Sequence, residues 1–409
     1  MDIASLCFDP QRAMQFAESI VGPRRVGTEG AAAAGRQLVE TLQAWGYQVE
    51  AEEFSFTDSQ SRLLTLQILL SQALILLAIW LSVANSSWVI FPALLLVGLL
   101  LSSGLILRRV LPASLYPPDG LHKSRGSGLL RRIGRDYHAA NYVARLPALD
   151  LDSTGLHLIL LAHYDTKSQH LPLALRIALF SLGIAGGLLF ALLVLLAGFF
   201  PILEIPALVL GVLASLAGVP LWFLGSGNDS PGAIDNASGV GVLLHLAELL
   251  ARQSEVRQRL DLTFLLTDAE ELGTLGAVAY TQRHAEQLLE QHHQDRSYVL
   301  NFDGVGVDGV LRWVGGITPQ AEESQPGLYT LLQQACREQG IRFMRFNLPG
   351  AMYDHQPFAT LGVEAGTLIA TGRASSGVHT RRDTVEQLHP RGFQQAGYAV
   401  LGLITELLR

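Results

Sequence analysis

Charge is what this chain has least of. Of its 409 residues only 16% are Asp, Glu, Lys or Arg, where a soluble domain carries about 25%. The deficit is local, falling in residues 63–107 and 171–224. A basic surplus is missing too. The net charge is −7, and no nucleic-acid partner is expected, since such partners are held through phosphate contacts by clustered Lys and Arg. Two cysteines, Cys7 and Cys336, give no disulfide framework and suit a reducing compartment. Met1 to Pro10 contains acidic residues and no apolar core, so no cleavable signal peptide is expected there.

What the chain has instead is long apolar runs. Leu63 to Ala84 and Trp88 to Leu107 are separated only by Asn85-Ser86-Ser87, and a second pair comes later at about Leu173 to Phe200 and Ile202 to Leu224. About 20 residues of helix rise roughly 30 Å, enough to cross a bilayer. Two helical hairpins, hence four transmembrane helices in contact with lipid, are therefore expected. A buried soluble hairpin is the weaker reading, because few soluble helices are apolar all round for this length.

The rest alternates helical and strand patterns, as an α/β domain does. Thr28 is placed to cap the next helix, and Tyr47 to Phe56 alternates like a half-buried strand. Leu156 to Ala162 reads as a buried strand ending in His163-Tyr164-Asp165. Leu260 to Leu266 is another, ending in Thr267-Asp268-Ala269-Glu270-Glu271-Leu272-Gly273, and Tyr298 to Phe302 ends in Asp303. Ligands collect at the carboxyl edge of such sheets. Adjacent side chains there point apart, so Glu270 and Glu271 cannot share a role: one can bind a metal while its neighbour handles a proton. His163, Asp165, Asp235, Glu270, Glu271, Asp303 and His379 are all expected at strand ends, and mixed His and carboxylate donors suit zinc or a similar divalent ion. Two histidines and three carboxylates suffice for two metals with one shared ligand. Asp165 and Asp383 are candidates to orient the histidines. Each residue alone has a plain explanation as a surface group or a loop cap; their joint placement is harder to explain that way.

The ordered set His163-Tyr164-Asp165, Asp235-Asn236-Ala237-Ser238-Gly239, Ala269-Glu270-Glu271-Leu272-Gly273, Asn301-Phe302-Asp303 and His379 with Asp383-Thr384 resembles the zinc aminopeptidase family of co-catalytic metallopeptidases. That family includes bacterial leucyl aminopeptidases, glutamate carboxypeptidase-like enzymes and glutaminyl cyclases. The stretch Gly22 to Thr28 also looks like its N-terminal loop. The resemblance implies two zinc ions sharing Asp235, with His163 and Asp303 completing one site and Glu271 and His379 the other. It implies Glu270 as the general base, taking a proton from the attacking water and passing it to the leaving amine. Asp165 joins Glu270 in the catalytic set as an orienting acceptor. A cis peptide at Asp235-Asn236 is implied as well. Tyr353, which precedes Asp354-His355 where relatives often carry a small residue, and Gly377-Val378 depart from the family pattern and bear on substrate class; His355 reads as a structural loop histidine.

The expected architecture is α/β, a mixed, largely parallel central sheet flanked by helices, with two inserted transmembrane hairpins. The expected division is catalytic domain at 1–62, 139–170 and 226–409, hairpins at 63–110 and 171–225, and a basic linker at 111–138. The expected function is a membrane-embedded zinc-dependent exopeptidase, an aminopeptidase, acting on peptides close to the membrane. The alternatives are a glutaminyl cyclase-like acyltransferase and an inactive membrane scaffold. Arg62, Arg108, Arg109, Lys167 and Arg176 flank the hairpins while the turns Asn85 to Ser87 and Phe200 to Pro206 carry no basic residue, so the catalytic domain is expected on the cytoplasmic side. Antiparallel pairing of Tyr47 to Phe56 with Asn141 to Arg145, and of the latter with Leu156 to Ala162, would put the first hairpin on the metal edge, and the second, inserted between His163 and Asp235, is expected to leave from that edge also.

Overall fold

A computed structural model describes residues 6–116, 134–146, 155–294, 296–315, 327–347 and 351–409. Most of the expected basic linker lies outside these residues. Among the described residues nine strands form one sheet: β1 (Gln48–Thr57), β2 (Leu115–Tyr116), β3 (Asp136–Leu146), β4 (Leu156–His163), β7 (Asp261–Thr267), β8 (Arg296–Phe302), β9 (Val310–Gly315), β10 (Phe343–Arg345) and β11 (Glu364–Thr371), in the order β10-β9-β11-β8-β4-β7-β3-β1-β2. A separate two-stranded ribbon pairs β5 (Ser168–Gln169) with β6 (Ser226–Gly227). The centre, β11-β8-β4-β7, is parallel throughout, and β3 and β1 extend it in antiparallel fashion.

Alternation along the central strands explains why both faces are covered. In β4, Leu158, Leu160 and Ala162 join the larger core, under helices Pro10–Ile20, Gly239–Leu250 and Pro390–Leu408. Ile159 and Leu161 face the other way, toward Ala277, Tyr280, Leu288 and Phe358. A strand buried on both faces reads as a continuous apolar run, which is how β4 and β7 appear in the sequence.

The expected pairing of β1 with β3 is present, Gln48 through Thr57 against Arg145 through Asp136. β3, however, pairs with β7 and not with β4. The direction is as expected, but β7 enters between them, because β4 has parallel neighbours on both sides.

Helices Ser59–Val83, Ile90–Ser114 and Leu173–Ala197 are each 25 residues long, about 37 Å. With Pro201–Phe223 they make two hairpins that pack on each other through Ile75, Ala78, Ala93, Leu96, Phe190, Ala191, Val194, Ala207 and Ala214. Their outward residues are apolar and exposed, among them Leu66, Leu76, Leu77, Phe91, Leu95, Ile205 and Leu216. Ala233–Leu250 is also long and apolar enough to cross a bilayer, but its apolar window is 89% buried, against 22–28% for Ser59–Val83, Ala174–Ala197 and Pro201–Phe223. It is therefore a helix of the sheet's own core.

The first hairpin begins directly after β1 at Thr57, which pairs with Asp136 at the start of β3, and so leaves from the carboxyl edge of the parallel strands. The second comes after β4 and returns through the β5–β6 ribbon at that same edge. Both hairpins therefore stand on the side where His163, Glu270 and Asp303 emerge.

Candidate metal centre

The site is built from five loop ends. β4 ends at His163, and β7 beside it leads into a short turn, Glu270–Leu272. Ala269 (φ 58°) and Thr274 (φ 57°) bracket that turn in the left-handed region, which L-residues adopt at a cost and which clusters at functional sites. β8 delivers Asp303, whose N–H donates to Leu368 O at 3.0 Å. The turn after β11 delivers His379, itself left-handed at φ 62°. Asp235 stands in the segment Ala233–Ser238, next to a cis Asp235–Asn236 peptide. Gly232 before it has φ 64°, and a Cβ there would lie 2.1 Å from Thr166 Cγ2, so the close approach of this loop to the end of β4 requires glycine.

Two donor sets result. One atom each from His163, Asp235 and Asp303 lies within 4.8 Å of the others, and the same holds for Asp235, Glu271 and His379. Asp235 belongs to both. His163 Nε2 is 3.2 Å from Asp235 Oδ1 and 4.0 Å from Asp303 Oδ1. His379 Nε2 is 2.8 Å from Asp235 Oδ2 and 3.2 Å from Glu271 Oε1. Glu270 belongs to neither set, and its Oε2 lies 3.9 Å from His163 Nε2.

These donors fit a divalent cation. His163 is fully buried, and its Nε2 has no hydrogen-bond partner among the described residues despite facing carboxylates. Its other ring nitrogen lies 3.2 Å from Asp165 O and 3.4 Å from Asp165 Oδ1. A proton on Nδ1 leaves the Nε2 lone pair for a metal, the usual arrangement of a ligating histidine. So many buried carboxylates without a cation would be costly.

Electrostatics separates the acids. Burial raises Glu270 well above the carboxylate range; His163 opposes it, while Glu271, Asp354 and Asp303 add to it. Burial and Asp235 push Asp303 up to about 7. Burial also acts on Asp235, but His163 and His379 outweigh it and hold that carboxyl well below its usual value. Glu271 is likewise held low against burial, by His379 and Lys167.

Asp165 accepts the N–H of Glu270 at 3.1 Å and of Glu271 at 3.2 Å. It thereby fixes both glutamates as well as His163. Asp383 corrects an expectation, since it does not orient a histidine. It accepts Ile234 N–H at 2.6 Å and Asp235 N–H at 3.3 Å, so it holds the loop carrying Asp235, and His379 Nδ1 has no partner among the described residues. His355 is a structural histidine as expected. It is buried, its Nδ1 is 2.7 Å from Thr367 Oγ1, and burial lowers it to about 4.

Three residues of the site escaped sequence reasoning. Lys167, read there as a flanking charge, puts Nζ 2.6 Å from Glu271 Oε2; its place two residues beyond Asp165 was the available signal. Asp354 is fully buried and accepts a hydrogen bond from Thr267 Oγ1. Arg24, also buried, donates to the carbonyls of Tyr164, Ile20, Gly22, Pro231 and Gly232 at 2.6–2.9 Å. It ties the N-terminal loop to the end of β4 and to the loop before Asp235.

Comparison with known proteins bears on the family and the fold. Residues 141–404 match the description "Peptidase family M28". Aminopeptidase YwaD of Bacillus subtilis (strain 168) is 28% identical over 188 residues, 44% of this chain and 38% of that protein, so the match spans well under half the length of that relative. Among solved structures, the zinc aminopeptidase BSAP from Bacillus subtilis superposes with a TM-score of 0.54 at 14% identity, covering 98% of this chain and 95% of that one. A leucine aminopeptidase precursor from Bacteroides thetaiotaomicron gives 0.54 at 18% identity, with 98% of each chain covered. Porphyromonas gingivalis glutaminyl cyclase gives 0.51 at 16% identity, with 99% of each covered. At these identities the structures show a shared fold.

Proposed function

The chain belongs to peptidase family M28, and from that premise we propose that it is a membrane-embedded, zinc-dependent exopeptidase, specifically an aminopeptidase acting on peptides. The observation that carries the reading is the pair of donor sets sharing Asp235, with Glu270 beside them and belonging to neither. His163 and Asp303 would hold one zinc ion, Glu271 and His379 the other, and Asp235 both. Zinc in such a site polarises a carbonyl and lowers the pKa of water.

The chain's own groups do the rest. Asp235 and Glu271 stay ionised and keep the cation positions ready. Glu270, whose pKa burial and neighbouring acids raise, is suited to receive a proton from the attacking water and to return it to the leaving amine nitrogen. Asp165 fixes the backbone of Glu270 and Glu271 by accepting both their N–H groups. Asp383 keeps Asp235 between the two histidines.

The hairpins support a multi-pass membrane protein. Trp80 and Trp88 are exposed at the far turn of the first hairpin, and Trp222 and Phe223 at the base of the second. Aromatic residues at both ends of an apolar span mark the two membrane interfaces. With the metal edge beneath both hairpins, the mouth would lie near the headgroups, which favours peptides arriving at or near the bilayer. Basic residues at the base, Arg62, Arg108, Arg109 and Arg176, favour a cytoplasmic catalytic domain.

The test uses full-length protein purified with zinc and a peptide panel, with products identified by mass spectrometry. Release of single residues from free N-termini, abolished by N-acetylation, is the expected result. Release from the C-terminus would make it a carboxypeptidase. Cyclisation of N-terminal glutamine without hydrolysis would favour the acyltransferase reading, for which the matching cyclase fold is the supporting observation. No turnover with zinc bound would leave the scaffold.

A further inference from the structure

At the base of the first hairpin, where it leaves the metal edge, a groove of about 360 Å³ is lined by Ser61, Arg62, Thr65, Leu66, Leu69 and Leu224. Its lining is segregated. Ser61 and Arg62 form the end next to the catalytic domain, and Leu66 and Leu69 lie one and two turns further along the helix, 58% and 41% exposed. Leu224, from the end of the second hairpin, lines it as well, so this shallow groove spans the bases of both hairpins. Trp222 and Phe223, exposed just before Leu224, put this level at the headgroup boundary, where such aromatic residues collect.

The charge at the polar end is incompletely answered. The one ion pair of Arg62 among the described residues is with Asp58, Nε to Oδ1 at 3.8 Å, and that oxygen already accepts Arg135 N–H at 2.7 Å. Among the described residues the Arg62 guanidinium makes no hydrogen bond, and the Ser61 hydroxyl is likewise free to donate. Thr65 is different: its hydroxyl donates to Ser61 O at 3.1 Å and contributes only its methyl face. Among the described residues no acid lines the groove, Asp58 standing against Arg62 from outside the lining. The guanidinium fork matches a phosphate bidentately, and the leucines continue from it along the direction of the helix.

We propose that this groove is a binding site for one anionic phospholipid, with its phosphate on Arg62 and Ser61 and its upper acyl chain on Leu66, Leu69 and Leu224. The proposal rests on the reading of the chain as a membrane protein. A headgroup with net negative charge is preferred over a zwitterionic one because, among the described residues, the lining carries the one charge of Arg62 and no acid that could receive a choline. The site also adjoins the catalytic machinery. Gln60, next to Ser61, donates its side-chain N–H to Leu272 O, the carbonyl immediately after Glu271.

The full chain in mild detergent would be titrated with phosphatidylglycerol and phosphatidylcholine of identical acyl chains and read by native mass spectrometry. One phosphatidylglycerol should be retained about fivefold more tightly than phosphatidylcholine, the scale of one basic residue at an anionic surface. Arg62→Gln should abolish that preference and Arg62→Lys should keep part of it. Leu69→Trp, which fills the groove and leaves the charge in place, should abolish retention of that lipid. Equal retention of both lipids by the wild type, or a preference that survives Leu69→Trp, overturns the proposal. So does a Leu69→Trp variant that retains lipid normally but shows a raised KM, since the groove would then be a peptide subsite. A chain that stays monodisperse without detergent and retains no lipid would instead overturn the membrane reading itself.

Discussion

Lys167 Nζ lies 2.6 Å from Glu271 Oε2 and 3.1 Å from Glu271 O, while the Lys167 N–H reaches Glu271 Oε1 at 3.2 Å. One residue thus holds one proposed ligand at three points. Lys167 also directly precedes the β5–β6 ribbon from which the second hairpin departs, and Gln169 N–H donates to His379 O at 2.8 Å. Gln60, at the start of the first hairpin, donates to Leu272 O. Both apolar hairpins are therefore fastened to the half of the site formed by Glu271 and His379, and among the described residues neither holds the His163 and Asp303 half in this way.

Removing the ammonium should favour a cation at that half. Lys167 takes one oxygen of Glu271 and sets a like charge beside the metal position. Lys167→Met should then tighten binding of the second equivalent of zinc by about tenfold or more, the scale of a neighbouring charge at this range. Chelator competition read by isothermal titration calorimetry would show it; unchanged or weaker binding would mean that the positioning of Glu271 outweighs the charge.

The two adjacent glutamates should separate by mutation. Glu270→Gln is expected to keep its zinc and lose about 10²–10⁴ in kcat, the usual contribution of a general base. Glu271→Gln should lose zinc from one position. Elemental analysis alongside turnover decides it, and full loading with full activity in both variants contradicts the assignment.

Stability of the metal-free protein should fall as pH rises from about 4 to 7. Asp303, Asp354 and Asp383 are each pushed up to about 7, mainly by burial, whereas in the unfolded chain they titrate near 3.9. The folded state therefore holds protons that the unfolded state has released, and that stabilisation is lost as pH passes through the folded values. His379, raised to about 9 by Glu271 and Asp235 against burial, extends the loss upward from pH 6.5. Asp235 and Glu271 act in the opposite sense, but only in the acid range below 4.5. Thermal melts with chelator should give a higher Tm at pH 5 than at pH 7.5. Zinc competes with these protons, so its stabilising effect should grow over the same interval.

Orientation is testable at Ser86, in the turn of the first hairpin. With a cytoplasmic catalytic domain, Ser86→Cys should react with an impermeant thiol reagent added to intact cells. Protection at this position, with labelling of an exposed cysteine in the catalytic domain, would reverse the assignment.

The sequence by itself determined which chemistry was available and roughly where. Buried parallel strands are continuous apolar runs, and the residues just past the end of each run gather at one edge of the sheet. His163, Glu270, Glu271 and Asp303 were legible for that reason, and the hairpins because a bilayer demands about 20 apolar residues in a row. Asp235 and His379 were grouped with them as strand-end residues although neither directly ends a strand, and only the family resemblance gave them their roles. Only the tertiary structure decided the partners. β7 stands between β3 and β4 because strand order is set by which faces and edges pack, and no local pattern encodes it. Asp383 serves the backbone before Asp235, and Arg24 binds carbonyls from three separate loops. Lys167 carries the same charge as the arginines that flank the hairpins, and one-dimensional reading cannot tell a flanking cation from one that reaches Glu271, 104 residues further along the chain.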